Sequence, residues 1–87
     1  MPQENPGYHI TPITKGILGE ISKIQEEIDE LADAKAQGCV IMELVELSDL
    51  YGAIDLYLKV NHPGISMEDL AIMSRITERA FQSGRRK

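Results

Sequence analysis

The sequence predicts an all-α fold, with three helices per chain that assemble into an oligomeric helical bundle. Three observations carry that prediction. Apolar residues recur at Ile13, Ile17, Ile21, Ile24, Ile28 and Leu31, the period of one helix face. Two breaks, Gln37-Gly38 and Asn61-His62-Pro63-Gly64, divide the chain into three segments. The middle segment is apolar nearly all round, the mark of a helix with little wet surface.

Residues 1–11 are rich in Pro and Gly and read as an extended arm. Tyr8 and His9 are the arm's only groups with useful chemistry. His9 reads as a surface imidazole; the sharper alternative is an arm folding over a ligand, with Tyr8 stacking on it. The first helix is expected over ~12–36, capped by Thr11 with Pro12 at its first position. Thr14 is a competing cap. Gly16 and Gly19 weaken those early turns by about 1 kcal/mol each relative to alanine, and allow close approach of another group. The apolar stripe gives way at Lys35, which suits the negative end of the helix dipole. Glu20, Lys23, Glu27 and Glu30 run along one shoulder of the stripe, and Glu26 and Asp29 are expected to face solvent. Gly38 fits a C-terminal cap.

The second helix is expected over ~39–60, opening with Cys39 as a small core residue. Leu44, Leu47, Leu50, Ile54 and Leu58 line one side. Met42, Val45, Ala53, Leu56 and Val60 line another, in the same sector as Glu46 and Asp49. Only Ser48, Asp55 and Lys59 make a polar strip. Ser66 then caps a third helix over ~67–82, with Asp69 completing a variant capping box. Leu70, Met73, Ile76, Thr77, Ala80 and Phe81 fall near one face of it. Residues 83–87 form a basic tail.

Composition narrows the options. Eighty-seven residues make one domain, 1–87, and the core of so small a chain is marginal alone. With one Phe, three Tyr and no Trp, that core is aliphatic. The second helix has more apolar surface than a three-helix monomer covers, so a homodimer or homotetramer is expected. A net charge of −5 argues against a nucleic-acid-binding protein, which needs a basic footprint. A single Cys excludes an intramolecular disulfide framework. The N-terminus has no signal pattern and no apolar run is long enough to span a membrane, so a cytoplasmic protein is expected.

The chemistry centres on two acidic pairs, Glu27-x-x-Glu30 and Glu46-x-x-Asp49. Residues three apart share a helix face, so each pair is a two-carboxylate clamp. The bland alternative is solvated surface charge. Against it, Glu46 and Asp49 lie in an apolar sector, where uncompensated carboxylates cost on the order of several kcal/mol each. If the first two helices pack antiparallel across Gln37-Gly38, the clamps face one another. Four hard oxygen ligands then suit Mg²⁺ or Mn²⁺ better than zinc.

These residues carry a family resemblance. EEIDEL followed by ELSDLYGAI is similar to the MazG-type all-α nucleotide pyrophosphohydrolases, whose signature is E-x-x-E, a spacer, then E-x-x-D. YHITPITKG and RAFQSGRR have the tone of small phage-encoded members, for which the location would be the host cytoplasm. The resemblance implies Mg²⁺ held by Glu27, Glu30, Glu46 and Asp49. It also implies hydrolysis of a nucleoside or deoxynucleoside triphosphate to the monophosphate and pyrophosphate. Glu27 and Glu30 stand as equal candidates for orienting the attacking water. Lys23, Asn61, Arg75 and Arg79 are candidates for substrate binding. Lys23 reads equally as a partner of Glu27, four residues on. The arginines read equally as complements to a helix C-terminus. The chain lacks the N-terminal Trp-containing segment of some longer members. The competing function is a non-catalytic oligomeric module that binds a protein or nucleotide without turnover. A di-iron bundle is disfavoured because His9 and His62 both fall in loops.

Overall fold

Gly38 reverses the chain. It sits in the left-handed region at φ 72° and donates its N–H to the Lys35 carbonyl at 3.0 Å, closing the first helix. That conformation costs glycine nothing sterically, which is why it ends helices so often. The computed structural model describes residues 9–82, excluding the side chains of residues 79–82. The arm up to Tyr8 and the basic tail 83–87 lie outside the described residues. Three helices are present, α1 Ile21–Gln37, α2 Val40–Asn61 and α3 Met67–Gln82, and no strand among the described residues. No helix described is long and apolar enough to cross a membrane.

The helices α1 and α2 pack as an antiparallel hairpin. Its open end is tied by Asn61, whose Nδ2 donates to the Gly19 carbonyl at 2.9 Å and the Tyr57 carbonyl at 3.0 Å. Gly19 has φ 86°, and a Cβ there would lie 2.9 Å from Val60 Cγ2. Both backbone strain and crowding therefore oppose a side chain at this position. Gly19→Ala is expected to lose about 2 kcal/mol in urea denaturation, because a non-glycine residue held in this region costs ~1–3 kcal/mol.

The first helix begins nine residues later than the Thr11-Pro12 signal suggests. Residues 10–20 instead form an irregular strap along α1, and two buried carboxylates account for it. Glu26 accepts the Gly16 N–H at 2.9 Å. Asp33 accepts the N–H groups of Ile10 and Thr11 at 2.9 and 2.8 Å, and the Thr11 hydroxyl at 2.7 Å. Backbone donors that a helix would leave dangling in its first turn are satisfied by α1 itself. The Thr11 hydroxyl, expected as a helix cap, is thereby used on Asp33. Gly16 passes so close to the first turn of α1 that a Cβ would run into the Ser22 carbonyl. Glu26, expected at the solvent face, is thus buried, and Asp29 is half-buried with its Oδ1 accepting from Gln25.

The second helix carries two apolar stripes. Glu46, Leu50, Ala53, Tyr57 and Leu58 turn toward α1 and are buried or half-buried. Val40, Ile41, Leu44, Leu47 and Tyr51 face outward and are exposed, so a single chain leaves this stripe of the helix uncovered. Cys39 is half-buried. The expected cap on α3 is present: Ser66 N donates to Asp69 Oδ2 at 2.9 Å, and Asp69 N donates to Ser66 Oγ at 3.2 Å. Packing of α3 on the hairpin is slight, and Ile72, Met73 and Ile76 are exposed.

Candidate metal centre

One turn of helix separates Glu27 from Glu30 on α1, and one turn separates Glu46 from Asp49 on α2. The antiparallel hairpin sets these pairs opposite each other. One carboxylate oxygen from each of the four lies within 4.8 Å of the others. Glu27 and Glu46 are buried, Glu30 is half-buried and Asp49 is exposed. The expectation that both members of the second pair are sequestered therefore holds for Glu46 alone. Asp49 instead forms the open side through which an ion or a larger ligand would enter.

Charge dominates this arrangement. Four carboxylates converge, two of them buried away from water, and like charges so close resist simultaneous ionisation. Burial, followed by Glu27 and then Glu46 alongside it, raises the Glu30 carboxyl from its ordinary value to about 8. The nearest compensating lysine is Lys23, whose Nζ lies 3.0 Å from Glu27 Oε2 and 3.1 Å from Glu26 Oε1. Hydrogen bonding to Glu27 raises the Lys23 pKa against the opposing effect of burial, so the ammonium stays charged. Burial also works against the Glu26 charge. The Gly16 N–H and Lys23, with Lys15 at 3.6 Å, outweigh it and lower that pKa.

The donor set fits a hard divalent cation. All four groups are carboxylates, with no thiolate or imidazole among them. Glu27 Oε1 is buried without a hydrogen-bond partner, while Oε2 of the same group is held by Lys23. A buried carboxylate oxygen without a donor is costly, and a bound cation removes that cost. This acidic cluster can hold a metal ion.

The metal-free protein should carry the signature of Glu30 in its pH dependence. Folded, Glu30 keeps its proton up to about pH 8; unfolded, it loses it near its ordinary value of 4.5. The native state binds the extra proton between those limits. This contribution is fully present below about pH 4.5 and is lost as pH rises through about 8. Thermal melts in chelator should therefore show a falling midpoint from pH 5.5 to 8.5. Added Mg²⁺ should raise the midpoint most at the alkaline end, where it replaces the missing proton.

Of the other sequence candidates, Lys23 reaches the cluster, but as a partner to Glu26 and Glu27. Asn61 is engaged at the open end of the hairpin. Arg75 is exposed on α3, and the side chain of Arg79 lies outside the described residues. One residue at the site was not anticipated, and a second is where the less favoured sequence reading put it. Asp33 is buried one turn beyond Glu30, and His9, expected at the surface, is half-buried against both. The seven-residue spacing of Glu26 and Asp33 was a usable signal, because it places both on one helix face.

Neither the family models, the curated proteins nor the solved structures compared with this chain match it.

Proposed function

We propose that this protein is a divalent-cation-dependent nucleotide pyrophosphohydrolase of the MazG type. It would convert a nucleoside or deoxynucleoside triphosphate to the monophosphate and pyrophosphate. The observation that carries the reading is the convergence of Glu27, Glu30, Glu46 and Asp49 from an E-x-x-E and an E-x-x-D on facing helices. Hard-oxygen ligation favours Mg²⁺, with Mn²⁺ a substitute. When bound, the ion supplies neutralisation of polyphosphate charge and makes water more acidic.

The chain's own residues have separable tasks. Glu27 and Glu46 would hold the ion from inside the hairpin, and Asp49 would hold it from the open side. Lys23 fixes Glu27 by occupying one of its oxygens. Glu27 and Glu30 are the two candidates for accepting a proton from the attacking water once a bound cation favours their ionised forms. The water oxygen bonds to the α-phosphorus, the bond from that phosphorus to the bridging oxygen breaks, and pyrophosphate leaves. Arg75 and Arg79 on α3 are the candidates for the departing charge, since the guanidinium fork suits phosphate oxygens.

The outer stripe of α2 favours self-association. Val40, Leu44, Leu47 and Tyr51 repeat at steps of four, three and four residues, the spacing of a helix-packing seam. Sedimentation should give a homodimer or homotetramer, and a monomer at micromolar concentration would remove this part of the proposal.

The reaction is tested by incubating the protein with Mg²⁺ and a panel of NTPs and dNTPs, separating products by ion exchange. Monophosphate plus pyrophosphate from one or a few substrates is expected. Diphosphate plus orthophosphate would overturn the proposed bond cleavage. No turnover with Mg²⁺ or Mn²⁺, in a folded oligomer, would leave the non-catalytic binding module as the better description.

A further inference from the structure

The reading of the carboxylate centre as a cation site leaves Asp33 and His9 without a task. Asp33 is buried, and its oxygens accept from the Ile10 and Thr11 N–H groups, the Thr11 hydroxyl and Gln37 Nε2. These bonds fix the backbone immediately after His9, and with it the place where the imidazole emerges. Asp33 Oδ1 lies 3.7 Å from His9 Nδ1, and Glu30 Oε2 lies 3.8 Å from His9 Nε2. Both separations exceed a direct hydrogen bond, but a small closure completes either. Glu30 and Asp33 are one turn apart on α1, so the imidazole spans the two carboxylates on one helix face.

We infer that His9 is a positioning residue of the carboxylate centre, seated by Asp33 so that its Nε2 orients Glu30 toward a bound cation. Between two carboxylates a doubly protonated ring donates from both nitrogens, so a carboxylate on one nitrogen fixes the plane of the ring and presents the opposite N–H in a fixed direction. The two glutamates of the first pair are thus handled alike. Lys23, in the first turn of α1, holds Glu27, and His9, just ahead of the strap, stands beside Glu30. The strap accordingly belongs to the site, which explains why α1 spends two buried carboxylates on anchoring it.

The inference rests on the cation-site reading, and its test separates the two. Mn²⁺ binding to the purified full chain is followed by the loss of the free-ion electron paramagnetic resonance signal, with circular dichroism as the folding control. Nucleotide turnover is measured in parallel. His9→Ala is expected to weaken Mn²⁺ binding about tenfold, the size usual for an outer-shell partner. It should lower kcat with little change in the KM for nucleotide. His9→Gln should recover part of the loss, because an amide can still donate to Glu30. Asp33→Asn should resemble His9→Ala, and the double variant should be no weaker than either single one. If Asp33→Asn does not fold, the two His9 variants decide the matter.

Mn²⁺ binding by His9→Ala within twofold of the parent overturns the inference, as does additivity of the two substitutions. Absence of Mn²⁺ binding by the parent protein overturns it together with the cation-site reading. The expected binding pattern without nucleotide hydrolysis sustains the positioning role and removes only the hydrolase.

Discussion

Glu46→Gln is expected to eliminate nucleotide hydrolysis while making the metal-free protein more stable. Glu46 is the most deeply buried carboxylate of the four, and it faces Glu30 across the hairpin. In the metal-free state that charge is a liability. Neutralising it with a side chain of nearly the same shape removes a desolvation cost and one source of like-charge repulsion. A gain of about 1–2 kcal/mol in unfolding free energy is expected, in line with replacement of buried ionic groups elsewhere. With Mg²⁺ the balance reverses. An amide oxygen is a weaker ligand than a carboxylate, and turnover should fall by about a thousandfold, equivalent to ~4 kcal/mol of transition-state stabilisation. Melting the parent and the variant with chelator and with Mg²⁺ reads both effects. The parent should gain stability from the ion and Glu46→Gln should not. A variant that melts lower than the parent in chelator would mean that Glu46 has a structural role in its ionised form.

The second large effect belongs to Asp33. Burial by itself would push this carboxyl up, but the Thr11 hydroxyl, Gln37 and the Thr11 and Ile10 N–H groups outweigh burial and hold it at about 2. In the unfolded chain it titrates near 3.8. The native state thus releases its proton more readily, and the associated stability is present above about pH 4 and lost as pH falls through about 2. The linkage is worth roughly 2 kcal/mol. Asp33→Ala should cost about 2–3 kcal/mol at neutral pH, because it strands the donors of the strap. It should also flatten the acid limb of the stability curve. Hydrogen exchange at the Ile10 and Thr11 amides provides the local check: both should lose protection in the variant while the amides of α2 keep theirs.

These two carboxylates mark the line between what could be read from residues and what could not. The helices α2 and α3, the Gly38 reversal and the Ser66–Asp69 cap were all legible, because each depends on neighbours within a few residues. The two clamps were legible too, since an E-x-x-E and an E-x-x-D on antiparallel helices have few ways to avoid meeting. The start of α1 was not. Thr11-Pro12 is a sound local helix signal, and it lost to Asp33, more than twenty residues away, which captures the Ile10 and Thr11 donors. Glu26 was misplaced for the same reason. By helical phase it belongs away from the apolar stripe, but the strap folds back over it and buries it with Gly16 and Lys23.

By itself, the sequence determined an all-helical chain, its two reversals and the four carboxylates of the centre, because periodicity, capping and motif spacing are local properties. The tertiary structure alone decided that residues 10–20 form a strap rather than two more turns of helix. It alone decided that Asp49 stays open while Glu46 is enclosed as its apolar sector suggested, and that His9 stands beside Glu30. Each of those outcomes depends on competition between distant groups for the same backbone donors, the same charge or the same volume. The winner is set by the packing of α1 against α2, which local residue pattern does not encode.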